Sequence, residues 1–307
     1  MSRADDFEEL RPLLFAIAYR ILGSVSEAED AVQDTWLRFS GYEGEPSSTK
    51  AFLSAVVTRI AIDELRSARV RREQYVGEWL PEPLIDDPYD DPTRAAELSD
   101  SVSTAALLLL ERLTPLERAV FVLREVFGFD YPSIASIVGR SAPACRQLAG
   151  RGRRHMDAGR TRFQADRRAR DELAARFFDA VMAGDMDGLR ELLAADVQMI
   201  GDAGGKAPAW PNRIYGPENV ARLLIATVTL VSSIGVTLER HDVNGQPGAI
   251  LRDRDGRVFN IVSLDVLDGR VQAVRSVINP DKLGHVGPVA DAYALLREAN
   301  DFRRPPA

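Results

Sequence analysis

The chain has 307 residues, 45% hydrophobic and 28% charged, with a formal net charge of −7. This is the balance of a folded globular protein of two or three domains, and it excludes a disordered or fibrous chain. No uncharged apolar run of about 18 residues occurs, so nothing is expected to span a membrane.

Asp5, Asp6, Glu8 and Glu9 stand where a signal peptide needs an apolar core, so no leader is expected. The single cysteine, Cys145, and the scattered His155, His241 and His285 form neither a disulfide nor a zinc motif. A cytoplasmic protein without metal or cofactor is the expectation.

Phe7, Leu10, Leu14, Ile17 and Ile21 recur at helical spacing, so a first helix spans 7–22 and Gly23 ends it. Ser26 and Glu29 read as a capping box that opens a second helix through Phe39, carrying Glu27, Asp30, Gln33 and Asp34. A third helix runs from Thr49 to Gln74. Phe52, Val56, Ile60 and Leu65 line its apolar face, and Arg59, Asp63, Arg66, Arg69, Arg71 and Arg72 gather on the other side. Gly77, Pro81, Pro83, Pro88 and Pro92 then break every periodicity and mark a linker. Residues 78–100 hold eight acids, Asp90, Asp91, Glu97 and Asp100 among them, against one arginine.

Helical pattern resumes from Leu98 to Leu113. Thr114-Pro115-Leu116-Glu117 starts a further helix, with Thr as N-cap, Pro in the first turn and Glu three residues on; Gly128 stops it. Residues 132–138 and 142–156 read as two short helices. Ala135, Gly139, Cys145 and Leu148 have the spacing of a helix-turn-helix: a small residue at the crossing, glycine in the turn, apolar residues where the second helix packs back. Ser141 is placed to cap the second helix. Arg146, Gln147 and Arg151 then point outward. Arg and Gln suit base edges in a major groove, and Arg153 and Arg154 suit phosphates. Residues 140–170 carry ten arginines, including Arg160 and Arg162, against two aspartates, a local charge of +8 in a chain that is −15 elsewhere. Cys145 reads as a core residue rather than a nucleophile.

Beyond Asp171 the pattern changes to α+β. Helices are expected at 172–183, 186–193 and 217–230. Strands are expected at 236–243, 249–254, 258–267 and 271–278, joined by turns at Asn244-Gly245, Asp255-Gly256 and Asp268-Gly269. The expected architecture is therefore two all-α domains followed by an α+β domain with a mostly antiparallel sheet.

Several of these segments resemble the extracytoplasmic-function (ECF) sigma factors of bacterial RNA polymerase. Ser26–Phe39 resembles their second conserved region, and Ala51–Arg69 their helix for promoter melting and −10 recognition. Leu113–Arg124 with the helix-turn-helix resembles their −35-reading domain. The remainder resembles the SigJ-like subgroup with a SnoaL-like C-terminal cone. It carries Trp79-Leu80-Pro81-Glu82-Pro83, the loop Asp202-Ala203-Gly204-Gly205-Lys206, with Ala203 where the subgroup has glycine, and Asn279-Pro280-Asp281-Lys282-Leu283.

The resemblance implies a sigma-2 domain at 1–76, a linker at 77–98, a sigma-4 domain at 99–160, a SnoaL-like domain at 161–287 and a tail at 288–307. It implies that core polymerase binds Asp30, Gln33, Asp34 and Trp36. Arg59, Asp63, Arg66 and Arg69 then face −10 DNA, and Arg146, Gln147 and Arg151 face −35 DNA. It further implies that the extra domain is a built-in regulator. Trp79, Pro81 and Glu82 are expected to dock against Asp202–Lys206 and Asn279–Leu283, with Glu82 paired to Lys206 or Lys282 and Asp281 closing the network. Asp202 and His241 are the only acid–base candidates in this domain, and an aspartate in a Gly-rich turn beside a lysine reads as a turn residue, so no enzyme activity is expected. An unknown small ligand in the cone is a further expectation. The alternative is a ligand-sensing helix-turn-helix regulator that is not a polymerase subunit; it has no use for the acidic second helix or the melting helix.

Overall fold

The computed structural model describes residues 2–89, 101–159, 167–208 and 213–302. Pro92, Asp90, Asp91, Glu97, Asp100, Arg160, Arg162 and the last five residues, all within segments read above, lie outside them. The described chain forms two compact units. One takes in residues up to Gln74 and resumes at Asp86; the other holds Tyr75–Ile85 and the C-terminal part.

The first unit opens with α1 (Arg3–Leu22), α2 (Val25–Ser40) and α3 (Thr49–Glu73). Each starts on a serine that accepts a backbone N–H, as an N-cap should. For α2 this is Ser24, accepting from Glu27 at 3.1 Å, so the cap lies two residues before the expected Ser26. Leu14, Ile17, Leu53, Val57 and Leu65 pack the three together with no exposed surface.

The second half of this unit comprises α4 (Thr104–Leu110), α5 (Pro115–Phe121), α6 (Tyr131–Val138) and α7 (Ala142–Gly159). The capping box of Thr114 and Glu117 forms as expected. After α5 the backbone loosens into a π turn, Val122–Val126, that sequence spacing did not indicate. Gly139, at φ 64°, makes the turn between α6 and α7 in the left-handed region that a side chain disfavours. Ile134, Cys145 and Ala149 are buried behind it. Arg20 and Arg118 are wholly buried between the two halves. Arg20 pairs with Asp87 at 2.9 Å and donates to Ser101, while Arg118 donates to the Arg20 carbonyl at 3.0 Å and pairs with Glu111.

In the second unit α8 (Arg167–Ala183), α9 (Met186–Leu192) and α10 (Pro217–Ser232) pack on a six-stranded sheet. Its strands are β1 (Leu193–Asp202), β2 (Ile214–Tyr215), β3 (Thr237–Val243), β4 (Gln246–Arg252), β5 (Val258–Leu267) and β6 (Arg270–Val277). The order is β2-β1-β6-β5-β4-β3, antiparallel except for β1 beside β6. Strand β1 was absent from the sequence reading; its register with β6 shifts between Leu193 and Gln198, and its burial, interrupted at exposed Ala195 and Asp196, follows no strict alternation. Phe177, Leu189, Val220 and Leu264 fill the core, joined by Leu295 and Ala299 of α11 (Ala292–Phe302). Among the described residues no helix is long and apolar enough to cross a membrane.

Candidate polymerase and promoter surfaces

The first surface lies on α1 and α2. Burying Ala28, Ala31, Val32 and Thr35 turns Asp30, Gln33 and Asp34 outward. Beside them is a cleft of about 330 Å³ lined by Phe7, Arg11, Glu29, Asp30, Gln33 and Trp36. Trp36 forms its wall, tilted on Phe7 at 5.1 Å between centroids, and Leu37 next to it is 61% exposed. Glu8, Glu29 and Asp30 rim this cleft.

The basic side of α3 forms the second surface, and it is already occupied. Arg59 donates from Nε to the Ile137 carbonyl at 2.7 Å and from Nη2 to that of Ser136 at 2.9 Å, at the C-terminal end of α6. These carbonyls have lost their helical partners, so a cation suits them. Arg69 donates to the carbonyls of Glu111 and Leu113. Arg72 pairs with Glu111 at 2.5 Å and donates to Leu22. Burial pushes the Glu111 carboxyl up, but Arg118 and Arg72 outweigh it and hold it below the usual value. Glu27 goes the other way: burial outweighs Arg72 and Arg71 and raises it. Asp63 and Arg66 remain exposed and pair with each other at 2.7 Å.

The third surface is α7. Arg146, Gln147, Arg151, Arg153 and Arg154 are exposed while Cys145 is buried, and burial raises its thiol above the usual value. Arg153 and Arg151 also reach acids of the preceding helices, Glu125 at 3.2 Å and Glu117 at 3.5 Å.

The fourth is a buried anchor within the second unit. Residues 75–85 form a strap across the ends of β1, β3 and β6. Asp202, with no exposed surface, accepts from Tyr75 Oη on one oxygen. Its other oxygen accepts from the Leu80 amide at 2.8 Å and from Lys282 Nζ at 2.7 Å. Lys282 also donates to the Leu80 carbonyl at 2.5 Å. Its ammonium lies 4.5 Å from the Trp79 ring centroid and 4.8 Å from that of Tyr75. Burial, with the hydrogen bond to Asp202 and its charge, pushes the Tyr75 hydroxyl far above the usual tyrosine value. Leu84 exchanges two hydrogen bonds with Asn244, His285 meets the Pro83 carbonyl at 2.7 Å, and Arg213 clamps Glu78 at 2.7 and 2.9 Å. The Arg213 bonds outweigh burial and lower the Glu78 carboxyl.

Gly204 and Gly205 take φ 57° and 71°, and a Cβ at Gly204 would lie 2.3 Å from the Asn279 amide. Ala203 has no such conformation, so alanine there costs the loop nothing. Lys282 pairs with Asp202, and Lys206 pairs with Asp281 at 2.5 Å, while Glu82 is buried in the strap. Asp202 and His241 sit on β1 and β3 with three strands between them, so they form no acid–base pair.

Residues 7–71 match the family Sigma-70 region 2, and residues 103–156 match Sigma-70, region 4. The chain is 37% identical over 289 residues to the ECF RNA polymerase sigma factor SigJ of Mycobacterium tuberculosis, covering 90% of this chain and 92% of that one. The chain belongs to the ECF sigma factors. The crystal structure of the M. tuberculosis SigJ superposes with a TM-score of 0.72 at 32% identity, over 94% of this chain and all of that one. A second M. tuberculosis relative, the probable ECF sigma factor SigI, is 29% identical over 89% of this chain and 92% of its own.

In this sigma factor, sequence reasoning missed Tyr75, Asn244 and Glu111. Tyr75 precedes the Trp79 segment by four residues, and an aromatic there was a signal; Asn244 was read only as a turn residue, and Glu111 only as part of a helix.

Proposed function

We propose that this sigma factor recruits core RNA polymerase through the α1–α2 cleft, reads −10 DNA with α3 and −35 DNA with α7, and is restrained by its own C-terminal unit. The observation that carries this is the outward presentation of Asp30, Gln33 and Asp34 beside the Trp36 cleft, on a chain that also turns Arg146, Gln147 and Arg151 outward from a helix-turn-helix. A regulator that only binds DNA needs the second feature and not the first.

The arrangement of the first unit is a closed one. Promoter elements at −10 and −35 lie about 25 base pairs apart, roughly 85 Å at 3.4 Å per pair. Helices α3 and α6 in direct hydrogen-bonded contact do not span that distance, so promoter binding requires Arg59 and Arg69 to exchange carbonyl partners for phosphates. Residues 75–85 are the first part of the covalent path from α3 to α4, and the anchor fixes their course on the C-terminal unit. That pinning is the means of restraint.

The test is run-off transcription with purified bacterial core polymerase on promoter fragments selected from random DNA by the reconstituted holoenzyme. Specific initiation is expected from the wild-type chain. A charge-reversed Asp30→Lys/Asp34→Lys chain is expected to keep its circular dichroism and thermal melt and to lose assembly with core. A well-folded double variant that assembles normally overturns the assignment of this face.

A further inference from the structure

Arg146 is the first charged side chain that α7 turns outward, and a free arginine carries much rotamer entropy that a base contact must remove. Here it is not free. Its guanidinium carbon lies 5.4 Å from the ring centroid of Tyr131, the first residue of α6. The same ring takes Arg124 at 4.8 Å. Arg124 is itself tethered, donating to the Phe129 carbonyl at 2.9 Å. The backbone under Tyr131 is fixed from both sides, by the Asp130 cap accepting from Ser133 at 2.8 Å and by Pro132 in the first turn. Tyr131 is half-buried and Arg146 exposed, so the ring is the platform and the guanidinium rests on it.

We propose that Tyr131 is a positioning residue for promoter reading, holding Arg146 in the orientation in which it meets a −35 base. The inference rests on the reading of α7 given above. The aromatic face attracts a cation without saturating its N–H donors, which stay available for a bidentate contact with guanine.

The experiment measures holoenzyme binding to a panel of promoters substituted singly at each −35 position. Arg146→Ala is expected to flatten preference at one position. Tyr131→Leu is expected to lower discrimination at that same position by about two- to fivefold, the scale of an exposed cation–π contact. Preference at the −10 positions should not move, and Tyr131→Phe should behave as wild type. In an Arg146→Ala background, Tyr131→Leu should have no further effect.

If Arg146→Ala leaves every −35 preference intact, the reading of α7 has failed, and the proposal with it. If Arg146→Ala flattens one position but Tyr131→Leu acts equally in both backgrounds, only the positioning role has failed. A measurement independent of variant folding is the ring-current shift of the Arg146 δ protons in selectively labelled wild-type protein. An upfield displacement supports the proposal, and random-coil shifts overturn it.

Discussion

Two regions of this sigma factor hold backbone carbonyls with cations, and they do so in opposite surroundings. In the first unit Arg59 is exposed, and its partners are the carbonyls of Ser136 and Ile137 at a helix end. In the second unit the Lys282 side chain is 8% exposed, and its partners are the Leu80 carbonyl and a fully buried Asp202. A carbonyl at a helix end accepts water when its cation leaves, so the arginine contact is cheap to exchange. Asp202 has no such substitute, because a buried carboxylate without its cation is strongly disfavoured. The contrast separates a contact made to be exchanged from one made to last.

The largest effect is expected at the anchor. Lys282→Met strands Asp202 and should cost about 3–5 kcal/mol in urea unfolding of the full chain. Adding Asp202→Asn should recover part of that loss. A cost of Lys282→Met below about 1 kcal/mol, the scale of an exposed pair, breaks the contrast.

Glu111 is intermediate. It holds Arg72 and Arg118 with its side chain 19% exposed, so Glu111→Gln should cost about 1.5–3 kcal/mol, as for hydrogen bonds to charged groups. Its folded value is depressed. Its stabilisation is therefore full above the ordinary glutamate range and lost as pH falls through the folded value. Glu27, raised in the folded state, contributes with the opposite sign as pH falls. Acid unfolding of Glu111→Gln should accordingly be shallower than wild type, the stability gap being full near neutral pH and closing as pH falls through the acid range; an unchanged profile contradicts the assignment.

The smallest stability effect is expected at Arg59. Arg59→Ala should cost below about 1 kcal/mol, the scale of exposed charged contacts, yet weaken binding to −10 DNA. A large loss of stability with intact DNA binding makes Arg59 a structural residue and removes it from the promoter surface.

Much of this was legible in the sequence. The Thr114–Glu117 cap, the Gly139 turn, buried Cys145 and the Asn244-Gly245 and Asp268-Gly269 hairpins rest on local rules, and local rules are carried by neighbouring residues. Strand β1 was not legible, because the register shift between Leu193 and Gln198 interrupts the period of two. The destination of Arg59 was not legible either. A helical face of arginines shows that acceptors must come, but carbonyls of α6 and phosphates of DNA are acceptors alike. Among the anchor residues, Asp202 and Lys282 stood out as part of the resemblance. Tyr75 lies outside those segments, and only the fold brings it to Asp202.

The exchange of partners by Arg59 and Arg69 is tested most directly by the distance between α3 and α6. Ser67 and Ser133 are exposed on these helices, and Cys145, buried with a raised thiol, competes poorly for a spin label. Pulsed electron resonance on a Ser67→Cys/Ser133→Cys chain should give one short distance for the free protein. On adding core polymerase and promoter DNA, that distance should lengthen by tens of ångströms, toward the separation of the two elements. A transcribing complex in which it stays unchanged contradicts the account.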